Sequence, residues 1–342
     1  MKPVTLKEIA EKLNISVTTV SKALKDYSDV SPKTKALVKE LAATLNYTPN
    51  SFAVNLRTKE SKTIGLVIPE VVHHFFSNVI KGIISEAEKE GYLVIILQSN
   101  ESYELEKKQV ELLMSHRVDG ILISLANGTA DFKHLNAVIE HDKPLVMFDK
   151  IAKLVKCSKI IIDDQKAAYM ATQHLIDTGC KRIAHFRGPL LPQNSIDRFL
   201  GYKKALLDNG MEYDPSLVYL NDCDENSFDD GKMNAAKLYQ EQKGVDGIFI
   251  NTDMVAIGAI SEFNRLGVKI PEEISIVGFS NWFMSSVISP TITTIDQPGY
   301  VMGQTAFKQL YKEIKAIKNK TMLSPEIIQL ETALVKREST KN

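Results

Sequence analysis

The chain has 342 residues, is 44% hydrophobic and 25% charged, and balances 42 Lys or Arg against 42 Asp or Glu. This length allows two or three domains, and the composition disfavours a largely disordered chain. The three cysteines are scattered and form no C-x-x-C pair, so we expect neither a disulfide framework nor a zinc site, and a reducing compartment fits best. Without an apolar leader or a run of about 18 apolar residues, we expect a cytoplasmic protein with no membrane span.

The balanced total conceals an uneven distribution of charge. Residues 1–62 contain eleven Lys or Arg and six Asp or Glu, a net charge of +5, so the remaining residues carry −5. A small basic segment is therefore joined to a large acidic one. The basic segment is compatible with nucleic-acid binding and also with an ordinary solvated helical surface. The zero net charge of the whole chain excludes neither interpretation.

The first 49 residues predict three short helices. Thr5-Leu6-Lys7-Glu8 is a capping box for the first helix, and Asn14 is suited to end it. Ser16 can cap a second helix over Val17–Lys25, and Ser31-Pro32 can begin a third. Two helices joined by a three-residue turn, with a supporting third helix, are typical of a helix-turn-helix DNA-binding domain. The apolar positions predicted to face its core are Leu6, Ile9, Ala10, Leu13, Val20, Leu24, Leu37, Val38, Leu41 and Leu45.

The second predicted helix has the surface of a recognition helix. Short hydroxyl side chains allow close approach to phosphates, and a lysine can donate to O6 and N7 of guanine. The alternative is a three-helix bundle with no DNA role, for which glutamates paired with lysines are more usual. The outward positions are instead short or basic: Val17, Thr18, Thr19, Ser21, Lys22 and Lys25.

These N-terminal residues resemble the signature of the LacI/GalR repressors. The matching residues, at the same spacing throughout, are Val4-Thr5-Leu6, Ala10, Ser16-Val17, Thr19-Val20-Ser21, Val30-Ser31, Thr34 and Leu45-Asn46-Tyr47-x-Pro49-Asn50. The resemblance implies that Val17, Thr18 and Lys22 face base edges in the major groove. Val17 suits a thymine methyl, and Lys22 is either the main determinant of sequence choice or a phosphate contact. Phosphate contacts are expected from Thr5, Ser16, Thr19, Ser21 and Lys25.

Residues 50–61 are predicted to form a hinge helix and linker. A helix over residues 50–57, capped by Asn50, is too short to be stable alone in water. In the resembled family this stretch becomes ordered when two copies pair in the minor groove. The resemblance implies that Leu56 inserts between base pairs, with Asn50, Ala53 and Arg57 beside it in the minor groove or on phosphate. The alternative is an interdomain linker in which Leu56 packs on the body.

From residue 62 the pattern changes to short apolar strands alternating with amphipathic helices. The segment Val118–Ile123 (VDGILI) recurs 127 positions later as Val245–Ile250 (VDGIFI). We therefore predict an α/β body of two Rossmann-like parallel-sheet subdomains, with a ligand cleft at the carboxyl ends of their strands. This body resembles the type I periplasmic binding proteins, whose fold forms the regulatory part of LacI-type repressors. The predicted strands are Ile64–Ile68, Leu93–Leu97, Gly120–Ser124, Leu145–Phe148, Lys159–Ile162, Arg182–Phe186, Leu217–Leu220, Gly247–Ile250 and Ile274–Val277.

The predicted domains are residues 1–49, 50–61 and 62–342. Within the body, the first half is predicted to comprise residues 62–158 and 296–320, and the second half residues 162–290 and 326–336. The chain is expected to cross between the halves near 158–162, 290–296 and 320–326. A late helix, Tyr300–Ile317, is assigned to the first half, and the final strand, Ile327–Leu330, to the second half.

The family resemblance also implies a set of effector contacts in the cleft. Asp149 and Asp253 can accept hydroxyl hydrogens, and Arg198 offers a rigid fork of donors. Phe75 or Phe76 can stack on an apolar sugar face, although a core position is the alternative for each. The full predicted set is Phe75, Phe76, Asp149, Arg198, Thr252, Asp253, Ser280, Trp282 and Gln297.

Two alternatives stay open at this site. Arg198 could instead cap a helix or pair with Asp197. Ser280-Asn281 stands where many relatives carry two aspartates, so a known relative's ligand does not transfer directly. An anionic or amino-bearing effector is therefore as open as a neutral sugar.

The predicted function is a homodimeric transcription repressor that binds a pseudo-palindromic operator in double-stranded DNA and responds to a small effector, a sugar or sugar derivative. The sequence contains no G-x-S-x-G, G-x-x-x-x-G-K-[ST] or H-E-x-x-H motif, and His73-His74 has no third metal ligand at suitable spacing, so no enzyme, metal or cofactor is predicted. One alternative is a periplasmic sugar receptor, which predicts a signal peptide and no basic head. Another is an α/β enzyme with an accessory DNA domain. Nothing after Leu334 resembles a heptad zipper, which favours a dimer over a tetramer.

Overall fold

The structure, a computed structural model, describes residues 4–47, 60–221 and 227–341. The chain divides into two units, Met1–Ser61 (the head) and Lys62–Asn342 (the body). The predicted hinge residues Asn50, Ala53, Leu56 and Arg57 lie outside the described residues. Across the described ranges, no helix is long and apolar enough to cross a lipid bilayer.

The described part of the head contains three helices: α1 (Leu6–Leu13), α2 (Val17–Leu24) and α3 (Pro32–Thr44). Thr5 Oγ1 accepts a hydrogen bond from the Glu8 amide at 3.3 Å, and the Glu8 carboxylate accepts one from the Thr5 amide at 3.1 Å. Ser16 and Ser31 each accept from the amide three residues later. All three predicted caps are confirmed, and a cap of this kind contributes about 1 kcal/mol.

The head has its own small hydrophobic core. Val38 and Ala42, one turn apart on α3, define the buried side of that helix. Leu37 lies about 100° further round the helix and is 47% exposed. The prediction that Leu37 faces the core is therefore wrong. The buried core residues are Ile9, Ala10, Val20, Ala23, Val30, Val38 and Ala42.

The body alternates strands and helices along most of its described length. Its strands are β1 (Thr63–Ile68), β2 (Leu93–Gln98), β3 (Gly120–Ile123), β4 (Leu145–Phe148), β5 (Ser158–Ile162), β6 (Ile183–Arg187), β7 (Val218–Leu220), β8 (Gly247–Ile250), β9 (Ser275–Ser280), β10 (Thr293–Asp296), β11 (Ile327–Leu330) and β12 (Ala333–Val335). Its helices are α4 (His74–Lys89), α5 (Tyr103–Ser115), α6 (Lys133–Glu140), α7 (Asp164–Asp177), α8 (Gln193–Asp208), α9 (Ser227–Glu241), α10 (Asp253–Leu266) and α11 (Gly299–Lys318). Short 3-10 helices occur at Pro215–Leu217 and Phe283–Ser286.

These strands form two six-stranded sheets. The first has the order β11-β5-β4-β3-β1-β2 and the second the order β12-β10-β9-β8-β6-β7. All neighbours are parallel except β12, which runs antiparallel to β10. All nine predicted strands are present, with ends that differ by at most three residues. The predicted fold class, a helical head followed by two parallel-sheet subdomains, is confirmed.

The repeated V-D-G-I segment occupies equivalent places in the two sheets. β3 lies between β1 and β4, and β8 lies between β6 and β9. The aspartate before each strand binds the backbone at the start of the neighbouring strand. Asp119 accepts from the Lys62 amide at 3.0 Å, and Asp246 accepts from the Arg182 amide at 2.8 Å. The two halves are thus duplicated in these contacts as well as in topology.

The predicted final crossing of the chain between the halves needs correction. Ile327–Leu330 forms β11, which pairs in parallel with β5 of the first sheet, with Ile327 opposite Lys159. This strand extends the first sheet beyond β5, and Ile328 and Leu330 pack against the hydrophobic core there. The final crossing therefore lies between β11 and β12, not near residues 320–326. The assignment of Ile327–Leu330 to the second half is wrong.

Helices α4 and α11 approach so closely that only glycine fits between them. A Cβ atom at Gly82 would lie 2.2 Å from the carbonyl oxygen of Tyr300, and one at Gly303 would lie 2.1 Å from the carbonyl oxygen of Val79. Separations this short are far below van der Waals contact. The absence of a side chain at both positions therefore sets the distance between the two helices.

Gly303→Ala is expected to lower the free energy of unfolding of the body by about 1–3 kcal/mol, because the two backbones must separate. Urea unfolding followed by circular dichroism measures this loss. Gly128→Ala is the matched control, since a Cβ atom there would have no neighbour closer than 3.7 Å. Equal stability of the two variants would contradict the glycine contact.

Candidate functional site

Helix α2 presents a surface without acidic residues. Val17 is 43% exposed although it is apolar, and Thr18 beside it is also exposed. Both lie in the first turn of α2, where unpaired amides and the helix dipole favour anions such as phosphate. Two of the three predicted base-reading residues are therefore accessible at the end of the helix that a helix-turn-helix domain inserts into the major groove.

The hydroxyl groups predicted to contact phosphate are partly used within the head. Thr5 caps α1, and Ser16 Oγ accepts from the Thr19 amide at 3.0 Å. Ser16 and Thr19 also share a hydroxyl–hydroxyl hydrogen bond of 2.8 Å. That bond uses one of their two hydroxyl hydrogens, so the other remains free to donate to a phosphate oxygen. Ser21 is half-buried, and Lys25 at the end of α2 is exposed.

Lys22 contacts an acid that sequence reasoning did not single out. Its Nζ donates to Oδ2 of Asp29, in the turn between α2 and α3, and the two side chains are 41% and 53% exposed. The hydrogen bond from Lys22 holds the pKa of Asp29 below its ordinary value. An exposed pair of this kind contributes little stability. Lys22 can therefore exchange Asp29 for a base edge or a phosphate at small cost.

A second candidate site lies in the body, and Arg198 of α8 is at its centre. Arg198 is 6% exposed. Its Nε donates to Oδ1 of Asp164 at 2.7 Å, and its Nη1 donates to the carbonyl oxygen of Asn251 at 2.9 Å. Its guanidinium carbon lies 3.7 Å from the centre of the Phe279 ring. The ionic partner of Arg198 is therefore Asp164 and not the Asp197 considered from sequence.

Two buried carboxylates lie within the electrostatic reach of Arg198. Burial raises the pKa of Asp164 to about 7, although the charge of Arg198 acts in the opposite direction. Burial also raises the pKa of Asp149, against the charges of Arg198 and Lys150 and a hydrogen bond from the Asn194 side chain. Asp149 follows β4 of the first sheet, whereas Arg198 belongs to the second half. Charged side chains of the two halves therefore act on one another at this site.

Several buried polar atoms near the carboxyl ends of strands in both halves have no hydrogen-bond partner among the described residues. They are His73 Nδ1, Ser124 Oγ, Arg187 Nε, Ser195 Oγ and Gln297 Nε2. Arg187 is the last residue of β6, and the other four residues come after the carboxyl ends of β1, β3, β6 and β10 respectively. Leaving a buried donor or acceptor unpaired costs about 1–3 kcal/mol. A polar ligand between the two halves could satisfy them together.

Asp253, predicted as an effector contact, has a structural role instead. Its side chain is fully buried, with 0% exposure. Its carboxylate accepts from the Trp282 amide, the Ser285 hydroxyl and the Thr294 hydroxyl, each at 2.7 Å. Burial nevertheless raises the pKa of Asp253 to about 6. Because the carboxylate is enclosed and already bonded, the prediction of direct effector contact is wrong, and Asp253 fixes the segment that carries Trp282.

Phe75 and Phe76 both lie in the hydrophobic core. Each is 4% exposed, and their ring centres lie 5.3 Å apart in an edge-to-face arrangement. Little ring surface is left on which a ligand could stack. The alternative considered from sequence, that each phenylalanine is a core residue, therefore holds for both. Aromatic contact across the cleft comes instead from His74 of α4 and Trp282, with ring centres 6.3 Å apart.

The other predicted effector residues lie at the carboxyl ends of second-sheet strands. Thr252 follows β8 and caps α10 through the Val255 amide at 3.4 Å. Ser280 ends β9 with a φ of 105°, a conformation rare for residues other than glycine. Gln297 follows β10 and is 8% exposed. These positions agree with a cleft lining, and their contact with a ligand stays a prediction.

A separate surface cavity of about 190 Å³ lies at the opposite, amino ends of β4 and β5. Its main acid is the half-buried Glu313, which accepts from Ser158 and Gln309. Burial raises the pKa of Glu313, and those two hydrogen bonds oppose the rise. Since the Glu313 carboxylate is already paired, we assign no ligand to this cavity. Within the described ranges, no three His, Cys, Asp or Glu side chains are grouped to hold a metal ion.

Sequence reasoning missed most of the groups that complete the cleft. Asp164, Asn194 and Asn251 are polar partners of predicted residues, and none was predicted as an effector contact. Ser124 could have been predicted, because polar residues at the carboxyl ends of parallel strands line ligand sites. The Arg198–Asp164 pair could not have been predicted, because the two residues lie 34 positions apart and only the packing of α7 on α8 brings them together.

Two family models match the chain. The model described as bacterial regulatory proteins, lacI family, matches residues 5–50, and the model of periplasmic binding proteins and the sugar binding domain of the LacI family matches residues 61–338. Catabolite control protein A of Priestia megaterium is 30% identical over 339 residues, which cover 99% of each chain.

Solved structures give the same result. The lac repressor dimer bound to operator and the anti-inducer ONPF aligns with a TM-score of 0.87 at 27% identity, covering 100% of both chains. The complex of the transcriptional regulator CelR with cellobiose aligns with a TM-score of 0.74 at 27% identity, covering 98% of this chain and 99% of the other.

The family models match both the head and the body, and the named relatives align with nearly the whole chain. The named relatives are regulators of transcription rather than enzymes. The chain therefore belongs to the LacI family of bacterial regulatory proteins, with a DNA-binding helix-turn-helix head and a periplasmic-binding-protein-like body.

Proposed function

We propose that the protein is a homodimeric repressor that binds a pseudo-palindromic operator and responds to a small hydroxylated effector, such as a sugar or nucleoside. The observation that carries this proposal is the set of buried polar atoms without a partner among the described residues, near the carboxyl ends of strands from both halves. A cleft with unpaired donors and acceptors suits a ligand rich in hydroxyl groups. We place this activity in the cytoplasm, without a cofactor or a membrane partner.

In the DNA-bound dimer, each α2 lies in the major groove. Val17, Thr18 and Lys22 read base edges, while Thr5, Ser16, Thr19, Ser21 and Lys25 hold the phosphates. The residues Asn50, Ala53, Leu56 and Arg57 form the hinge contact in the minor groove, with Leu56 as the wedge that kinks the DNA. The lac repressor dimer on its operator supports this arrangement by similarity.

Effector binding is coupled to DNA binding through closure of the cleft. A ligand that pairs with groups of both halves stabilises one relative position of the halves, and so shifts the population toward that state. Because a short hinge helix is marginally stable, a small difference in free energy decides whether it forms. The cellobiose complex of CelR supports a sugar-like effector by similarity.

One experiment tests the proposal as a whole. The full chain first selects an operator from random-sequence DNA, and operator release and Trp282 fluorescence are then followed together while sugars and nucleosides are added. Trp282 is the only tryptophan and lies opposite His74 at the cleft. We expect a compound that changes the fluorescence to change operator affinity at the same concentration. A ligand that changes the fluorescence without affecting DNA binding would exclude the proposed coupling.

Lys22→Ala is expected to weaken operator binding by about 1–3 kcal/mol, with the loss concentrated at particular base pairs. The measurement is the affinity of the wild type and the variant for the selected operator and for its single-base substitutions. Lys7→Ala is the matched control, because Lys7 lies on α1 with a side chain 80% exposed. If Lys22→Ala weakens binding equally for every operator variant, Lys22 contacts phosphate rather than bases.

A further inference from the structure

Three buried asparagines form a chain of hydrogen bonds at the carboxyl end of the second sheet. Asn221 follows β7, Asn234 belongs to α9 and Asn251 follows β8. They are 7%, 8% and 9% exposed. Nδ2 of Asn234 donates to Oδ1 of Asn221 at 2.8 Å, and Nδ2 of Asn221 donates to Oδ1 of Asn251 at 2.6 Å. This chain of three carboxamides is termed the amide relay, and none of its members is a predicted effector contact.

The direction of the amide relay is fixed at its α9 end. Nδ2 of Asn234 also donates to the backbone carbonyl oxygen of Leu220, at 3.3 Å. Because a carbonyl oxygen only accepts, the Asn234 atom on this side is its nitrogen, and the Asn221 atom that faces it is an oxygen. Asn221 therefore donates to Asn251 through its own nitrogen. Among the described residues, Asn251 bonds only through its backbone and Oδ1, so its Nδ2 is a donor that points away from the relay.

This Nδ2 of Asn251 lies beside Gly188, which follows β6 between the two strands that the amide relay joins. A Cβ atom at Gly188 would lie 2.6 Å from the nitrogen and 3.1 Å from Oγ of Ser195. Ser195 is 7% exposed, and its Oγ is one of the buried atoms without a partner among the described residues. The glycine therefore leaves open a small space that is flanked by two polar atoms with unused hydrogen-bonding capacity.

The same space lies at the amino end of α8. Ser195 is in the first turn of this 16-residue helix, whose N-cap residue Pro192 makes no side-chain capping bond, and the first turn contains no acidic residue. First-turn amides and the helix dipole favour an atom with negative partial charge. Arg198 of the same helix holds the backbone of Asn251 through its carbonyl oxygen. The space beside Gly188 therefore suits an acceptor oxygen of a ligand.

We propose that Asn251 is a specificity-determining residue of the effector cleft, and that its Nδ2 donates to an acceptor oxygen of the effector held beside Gly188. Oγ of Ser195 completes the contact with this part of the effector. Asn221 and Asn234 are positioning residues, because they fix which end of the Asn251 carboxamide faces the effector. This inference rests on the proposed function and deepens it by naming a donor that the effector matches.

Aspartate substitutions test the direction of the amide relay without an effector, since an ionised aspartate has the shape of asparagine but cannot donate. Asn234→Asp removes both donated bonds and is expected to lower the urea midpoint of the full chain most. Asn251→Asp keeps the acceptor that Asn221 needs and is expected to lower it least. Asn136→Asp, at an exposed position on α6, is the matched control and is expected to leave the midpoint unchanged. A larger loss from Asn251→Asp than from Asn234→Asp would overturn the proposed direction.

Calorimetric titration of the full chain with glucose, cellobiose, ribose, adenosine and uridine tests the effector contact. A compound that binds the wild type is expected to bind Asn251→Asp about tenfold more weakly or worse, because an acceptor replaces the donor. Asn221→Asp is expected to weaken binding of the same compound. In that variant the Asn251 carboxamide turns its nitrogen to the new carboxylate and its oxygen to the effector. Asn136→Asp is expected to leave the affinity unchanged.

The outcomes separate this inference from the proposed function. If a compound binds the wild type and a folded Asn251→Asp variant equally, Asn251 does not contact the effector, while the proposed effector response stands. If Asn251→Asp weakens binding but Asn221→Asp does not, the amide relay does not position Asn251. Circular dichroism verifies that both variants are folded. If none of the compounds binds the wild type, the proposed effector class is wrong, and the contact with Asn251 falls with it.

Discussion

Arg198→Met is expected to lower the free energy of unfolding of the body by about 3–5 kcal/mol and to abolish the response to effector. The methionine fills much of the arginine volume but leaves the carboxylate of Asp164 buried without its partner at 2.7 Å. It also removes the donor to the Asn251 carbonyl and the contact with the Phe279 ring. Urea unfolding of the full chain, followed by circular dichroism, measures the loss.

Two further variants separate a lost ion pair from a lost side chain. Arg198→Met combined with Asp164→Leu is expected to regain most of the stability, because no buried charge remains unpaired. Lys204→Met, on the same helix, breaks an exposed pair with Asp208 and is expected to cost less than about 1 kcal/mol. If Arg198→Met costs no more than Lys204→Met, the pair with Asp164 does not organise the cleft.

Local signals explain why so much of the fold could be predicted. The capping residues Thr5, Ser16 and Ser31 act within one helical turn, so sequence alone places the starts of the three head helices. Buried strands appear as short apolar runs bounded by polar residues. The repeated V-D-G-I segment identified two equivalent strands, because both carry the same buried positions and the same anchoring aspartate.

Long-range contacts explain what could not be predicted. Nothing in the short segment Ile327–Leu330 indicates which sheet it joins, since that depends on a parallel register with β5. Asp253 has the residue type of a ligand contact, yet Ser285 and Thr294 reach it from 32 and 41 positions away and enclose it. The arrangement of side chains around Arg198 likewise follows from helix packing. The positions of residues along the chain therefore predicted where the cleft lies. They predicted less well which side chains in the cleft are free to bind a ligand.

Acidification is expected to destabilise the body, because His185 is buried as a neutral imidazole. Burial lowers the pKa of His185 to about 3 from an ordinary 6.5, although its hydrogen bond to the Phe249 carbonyl oxygen acts in the opposite direction. Its ring stacks on Phe249 with centres 4.8 Å apart. Above pH 6.5 this histidine is neutral in the folded and unfolded chain alike. As pH falls below 6.5, only the unfolded chain takes up the proton, so His185 should cost about 3 kcal/mol of stability by pH 4.

The raised pKa of Asp164 changes stability in the opposite direction, because the folded chain takes up that proton as pH falls below about 7. The informative quantity is therefore the difference between the wild type and His185→Phe, measured by urea unfolding at a series of pH values. His185→Phe keeps an aromatic ring on Phe249 and removes the titrating group, so the wild type should lose about 3 kcal/mol relative to it between pH 7 and pH 4. His116→Phe, at an exposed position, is the matched control. Parallel plots of the free energy of unfolding against pH for the wild type and His185→Phe would contradict this prediction. They would show that His185 is not the buried neutral group that makes the body sensitive to acid.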